Sequence, residues 1–189
     1  METILGLAIG IGLSAACGFR VFVPLLGMSI AAFSGYITLS PGFEWLGTQE
    51  ALTAFSTATV IEIAAYYIPW VDNTLDALMT PLAVVAGTIL TASLLGDLSP
   101  FLKWALAIIV GGGVSAIVQG GTVALRAGSS GATGGLANIL VSTIELVGSI
   151  VVTVFAILLP LLGLAAVIWI CFKAITTMAR STLFKKLLG

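Results

Sequence analysis

Four ionisable side chains stand inside runs that are otherwise apolar: Arg20 in GFRVFVPLL, Glu62 in TVIEIAAYY, Arg126 in VALRAGSSG and Glu145 in STIELVGS. A charge at the centre of a bilayer costs at least about 2.5–3.5 kcal/mol on insertion scales, so such residues turn inward and need partners. The economical assignment is two Arg–Glu pairs. Pairs of this kind either fix helix register or line a polar path at mid-depth. On the second reading the arginines carry the charge of an anion, and the glutamates are the coupling or gating carboxylates.

The segment after Arg126, AGSSGATGG, reads as a loop (residues 127–135). Successive N–H groups in a glycine-rich turn form an anion-binding nest. A helix starting near Leu136 would aim its positive end at the same space. Ser129, Ser130 and Thr133 supply hydroxyls, Asn138 a side-chain donor, and Ser142 a further hydroxyl ahead of Glu145. No GKS/T follows the glycines, so this is not a Walker loop. The plain alternative is a flexible connector. A third cluster, IPWVDNTLDALMTP, puts Asp72 and Asp76 four residues apart, on one helical face. Helix capping by Asp72 and first-turn dipole stabilisation by Asp76 explain both. A gate pairing with an arginine, or a cation site, is the alternative. Two carboxylates alone hold Mg²⁺ poorly, so no metal or other cofactor is expected.

The elements that position these residues follow from composition. Of 189 residues 59% are hydrophobic and 8% charged, against about 25% charged in soluble domains. The mean hydropathy is +1.21. The chain is therefore expected to be a polytopic integral membrane bundle, all-α because each span must satisfy its own backbone in lipid. A net charge of −1 gives nucleic acid nothing to bind. Histidine is absent, which removes the commonest metal ligand and neutral-pH shuttle. Cys17 and Cys171 read as free buried thiols. The N-terminus has Glu2 in place of a basic region and is read as a retained span.

Five or six spans are expected. The first run, Ile4 to about Phe33, is too long for one upright crossing and is either kinked or broken at Gly18. Pro41-Gly42 marks a turn and Trp45 an interfacial anchor. Further spans run from about Leu52 to Pro69, Leu75 to Leu95 and Phe101 to Leu125. A last run, Leu136 to Val167, is kinked or ended by Pro160. The basic tail, 173–189, reads as an amphipathic helix on the cytoplasmic headgroups. The whole is one membrane domain, 1–189, with weakly echoing halves, 1–98 and 99–172. GLSAACGFR resembles GVSAIVQGGTVALR, and TVIEI resembles STIEL. With an odd number of spans in each half, such a repeat would be inverted, as in transporters with broken helices. Gly6, Gly10, Ser14 and Gly18 form a small-residue ridge for close helix packing, within one bundle or in a homo-oligomer.

GFRVFVPLL, IEIAAYYIPWVDNTLDAL with TPLAVVAGTIL, and ALRAGSSGATGGLANILVSTIE together resemble a bacterial membrane-protein family known as domain of unknown function 4126, over residues 5 to 165. The resemblance implies a membrane protein and matches Arg20, Pro24, Glu62, Pro69, Asp72, Asp76, Arg126, Asn138, Ser142 and Glu145, without implying an activity. The residues themselves point to a permease or channel of the bacterial inner membrane, for a small anionic solute or a phosphorylated lipid headgroup. An accessory subunit, with the charge pairs fixing assembly, is the alternative. An intramembrane enzyme is disfavoured, because metal-assisted phosphate chemistry needs more acidic ligands.

Overall fold

The computed structural model describes residues 2–68, 71–134 and 137–160, with single positions 162, 169, 172, 173 and 176; the side chains of Glu2, Asp72, Asn73 and Ala132 are outside that description. The expectations for Pro69, for Cys171 and, Thr176 apart, for the tail beyond Lys173 lie outside the described residues. Among these residues the chain is helical and has no strand: α1 (Glu2–Cys17), α2 (Phe22–Phe33), a 3₁₀ turn (Glu44–Gly47), α3 (Gln49–Tyr66), α4 (Val71–Ala92), α5 (Pro100–Leu106), a π-helical stretch (Ala107–Gly112), α6 (Gly113–Thr133) and α7 (Asn138–Leu158).

Three helical stretches are long and apolar enough to cross a membrane: Thr74–Ala92, Pro100–Gly131 and Asn138–Leu158. The second runs through α5, the π-helical stretch and α6 without a break. The outer surface suits lipid. On α7 the exposed large apolar side chains include Ile139, Leu140, Ile144, Val147, Ile150, Val151, Val154 and Phe155, with Thr143 the exposed hydroxyl among them. Its buried stripe is Asn138, Ser142, Glu145, Ser149, Val152, Thr153 and Ala156. The helix is amphipathic with its polar side inward, the reverse of a helix on a water-soluble core. It stops at Leu158, since the residue before Pro160 is pushed out of the helical region; Leu159 has φ −137° and ψ 66°.

The first apolar run divides at Gly18, as one of its two readings anticipated. A buried turn, Gly18–Val21, separates α1 from α2. Contacts along α7 fix the direction of each piece. Ser149 donates to the carbonyl of Ala16, and Gly12 abuts Ala156, so α1 runs antiparallel to α7. Gly27 abuts Thr153, and Ala31 shares a hollow with Ile157, so α2 runs parallel to it. The two pieces therefore form a hairpin that enters and leaves at the same end of the bundle. At 1.5 Å per residue α1 is about 24 Å long and α2 about 18 Å, each short of a roughly 30 Å hydrocarbon core. Non-helical backbone at such depth is tolerated only where protein covers it, and Gly18, Arg20 and Val21 are all buried.

The hairpin is seated by the ridge on α1. A Cβ on Gly10 would lie 3.0 Å from the Thr91 Cα, and Gly18 leaves no room for one against Val118 and Gln119. Ser14 donates to the carbonyl of Gly87 at 2.9 Å and shares a hydrogen bond with Thr91 at 3.0 Å, while Ser115 donates to the carbonyl of Ser14 at 2.7 Å. The ridge thus packs α1 into α4 and α6 of the same chain. The resembling stretches around Ser14 and Ser115 lie side by side on parallel helices. Cys17 is a buried free thiol, as expected. At the far end, Gly42 takes φ 90° after Pro41, in the expected turn.

Candidate functional site

The tip of the hairpin meets the end of α3, the start of α4, the C-terminal part of α6 and the first half of α7. Five side chains converge there, each nearly closed to solvent: Arg20 (1% exposed), Arg126 (1%), Tyr66 (4%), Glu145 (4%) and Asp76 (6%). Arg126 and Glu145 form a bidentate pair, with Nε donating to Oε1 at 3.1 Å and Nη2 to Oε2. Such side-on pairing is the strongest guanidinium–carboxylate geometry. Arg126 Nη1 also lies 3.7 Å from Asp76 Oδ1, which accepts from the Tyr66 hydroxyl at 3.1 Å. Arg20 reaches the same Glu145 at 3.6 Å through Nη2, and that nitrogen donates to the carbonyl of Ser142 at 3.0 Å. Both guanidinium carbons lie over the Tyr66 ring, Arg20 at 3.7 Å and Arg126 at 4.2 Å from its centroid. The aromatic face supplies electron density to both cations.

Of the two expected Arg–Glu pairs, Arg126–Glu145 is formed, and no ion pair joins Arg20 to Glu62 among the described contacts. Glu145 serves both arginines, and Glu62 has a different task. Its Oε1 accepts from the backbone N–H of Val21 at 2.8 Å and its Oε2 from that of Phe22 at 3.0 Å. Those amides open α2, where backbone donors have no partner inside the helix and the dipole favours a negative charge. Val21 itself offers no side-chain cap, so a carboxylate from another helix fills the role. Spacing could not show this, because the capped residues are forty positions upstream of the cap.

Asp76 also differs from its simplest expectation. It lies in the second turn of α4, buried against Tyr66 and Arg126, and is no dipole residue; the alternative of pairing with Arg126 is the one observed. The Asp72 side chain is outside the described residues. Among the described residues no group of acidic or thiol side chains is arranged to hold a metal.

The glycine-rich loop after Arg126 is helix. Residues 127–133 continue α6, which ends where Gly134 takes φ 63° and its N–H closes on the carbonyl of Ser130 at 2.9 Å. Residues 127–134 therefore form no nest, and α7 begins at Asn138, two residues later than expected. The polar side chains make the α6–α7 corner instead. Asn138 Nδ2 donates to Ser130 Oγ at 2.9 Å, the N–H of Ala137 to Thr133 Oγ1 at 3.1 Å, and that hydroxyl to the carbonyl of Ser129 at 2.8 Å. Only Arg20, therefore, stands beside a helix break; Arg126 projects from a continuous helix. Ser142 contributes in two ways, its carbonyl holding Arg20 and its hydroxyl donating to the carbonyl of Tyr66 at 3.2 Å.

Tyr66 is the member of the cluster that sequence reasoning missed. The available signal was its place one turn after Glu62, which puts both on one face of α3. Thr122 and Gln119 extend the polar lining along α6. Thr122 Oγ1 lies 2.9 Å from the carbonyl of Gln119 and 3.4 Å from that of Gly18.

A family model described as a domain of unknown function, DUF4126, matches residues 7–180, and the chain belongs to that family. No curated protein and no solved structure matches the chain.

Proposed function

We propose that this DUF4126 protein is a small membrane transport protein, a permease or channel, whose substrate passes the charge cluster at the tip of the α1–α2 hairpin. The observation that carries the reading is Arg20. It is buried in the bundle interior at a helix break, and its Nε and Nη1 have no hydrogen-bond partner among the described residues. Broken helices that meet at mid-depth are how transporters bring bare backbone and charge to a solute. Arg126 is already held by Glu145 and Asp76, so Arg20 is the cation with donors to offer. The substrate class is a small anion or a phosphorylated lipid headgroup, and the setting a bacterial inner membrane with the basic C-terminal tail in the cytoplasm.

The test is osmotic swelling of reconstituted vesicles in a panel of small-anion salts, with a dithionite assay for flipping of a phosphate-headgroup lipid alongside. Arg20→Gln should abolish whichever flux the native protein supports while the protein keeps its helicity and thermal transition. A folded Arg20→Gln variant with native flux would end this assignment.

A second reading has its own support. Glu62 capping α2 and the Arg126–Glu145 pair are what a fixed internal scaffold needs, as in an accessory subunit of a membrane complex or a homo-oligomer. A stoichiometric partner in gentle purification, with flux absent for every anion tested, would favour it.

A further inference from the structure

We propose that the site takes a small oxyanion on Arg20 and that Glu145 is the built-in competitor of that anion, giving up its hold on the arginines and accepting a proton as the anion binds. The proposal deepens the transport reading and rests on it.

The first support is the unequal use of the two guanidinium groups. A guanidinium carries five N–H donors in a rigid plane and matches carboxylate and phosphate oxygens. Arg126 spends Nε and Nη2 on Glu145 and turns Nη1 toward Asp76. Arg20 spends only Nη2, on the Ser142 carbonyl and, at a longer 3.6 Å, on Glu145. Buried donors left without acceptors are rare and costly, and here they sit on a residue that is 1% exposed beside a helix break. An oxygen-bearing ligand is what they lack.

The second support is charge balance. The titratable groups gathered around Arg20 and Arg126 are Glu145 from α7, Glu62 and Tyr66 from α3 with Tyr67 after it, and Asp76 from α4. Among these described groups there are two cations and three carboxylates. Glu62 is compensated by the N-terminus of α2 through two backbone N–H bonds. Asp76 has the Tyr66 hydroxyl as well as Arg126. The Glu145 carboxylate rests on the two arginines alone, among the contacts described. An incoming anion competes for that same positive charge. A carboxylate that loses its cation in a dry interior neutralises rather than staying charged. One anion therefore enters with one proton: an O–H bond forms on Glu145, and the net charge of the site does not change.

The experiment uses the full-length protein in phosphatidylcholine nanodiscs, with methanesulfonate as a monovalent oxyanion that does not titrate near neutral pH. Calorimetric titration in weak buffer should show binding with uptake of about one proton per anion, as linkage requires of a coupled site. Glu145→Gln should bind about tenfold tighter with no proton uptake, because the competing charge is gone. Adding Arg20→Gln to that variant should abolish binding. In nanodiscs that also contain phosphatidic acid, weakened methanesulfonate binding would accord with the proposal and name the headgroup as source; an unchanged isotherm would accord with it and name a soluble anion. Absence of binding, native binding without proton uptake, or a folded Glu145→Gln variant that binds no tighter would each overturn the proposal. If Glu145→Gln does not fold, the native proton uptake decides. Binding and proton uptake as stated, but without flux in vesicles, would remove the transport reading and leave the exchange of counter-ions standing. Native flux with unchanged affinity in a folded Glu145→Gln variant would do the opposite.

Discussion

Replacing Glu62 with alanine should loosen the start of α2 and leave the α6–α7 hairpin tight. The carboxylate takes two backbone N–H groups, of Val21 at 2.8 Å and Phe22 at 3.0 Å, and Val21 is only 3% exposed. Hydrogen bonds to charged groups contribute about 1.5–3 kcal/mol each, and a buried donor left unpaired costs about 1–3 kcal/mol. Phe22 is half-buried, so water recovers part of its share. The expected loss is then about 3–4 kcal/mol for Glu62→Ala, and roughly half that for Glu62→Gln, which keeps one acceptor oxygen. Equilibrium unfolding in mixed micelles measures the total. Amide hydrogen exchange locates it: protection of Val21 and Phe22 should fall by two to three orders of magnitude, about the ratio that 3–4 kcal/mol implies, with amides in the middle of α7 little changed. If Glu62→Ala exchanges like the native protein at Val21 and Phe22, the cap is not what holds the hairpin tip, and the account of Glu62 given above fails.

Arg126→Gln should destabilise by about 3–5 kcal/mol, since it strands Glu145 and weakens the hold on Asp76; the double variant with Glu145→Gln should recover part of that loss in the same unfolding assay. Tyr66→Phe removes the hydroxyl bond to Asp76 and should cost about 1 kcal/mol, whereas Tyr66→Leu also removes the ring under both guanidinium groups and should cost about 1–2 kcal/mol more. Gly10→Leu drives a side chain into Thr91 on α4; overpacking of about 1–3 kcal/mol or more should appear as a lower thermal transition with the helix content unchanged.

The rarity of charge in apolar surroundings made Arg20, Arg126 and Glu145 legible from the sequence, since each had to find a partner inside. The ridge Gly6, Gly10, Ser14 and Gly18 was legible because its four-residue period is a helix property. What stayed hidden has specific causes. AGSSGATGG has the composition of a loop in water, where backbone finds other partners. In this bundle the helix through residue 133 satisfies its own backbone and Gly134 supplies a left-handed stop, so composition lost to hydrogen bonding. The cap on α2 joins residues 41 apart in sequence, and no local pattern encodes a cap supplied from another helix. Tyr66 stands in an apolar run where an aromatic residue is unremarked, and its role appears only once two arginines from distant segments arrive at its ring.

The short hairpin has a consequence for the order in which the protein is made. Arg20 leaves the ribosome well before two of the groups that receive it: the Ser142 carbonyl is 122 positions downstream, and Glu145 follows it. Until α7 has been synthesised, Arg20 can meet the Tyr66 ring of α3 and the charges of Glu62 and Asp76, but not the Ser142 carbonyl or Glu145, and it stands on two helices too short to cross alone. The hairpin is then fully seated only after α7 joins it.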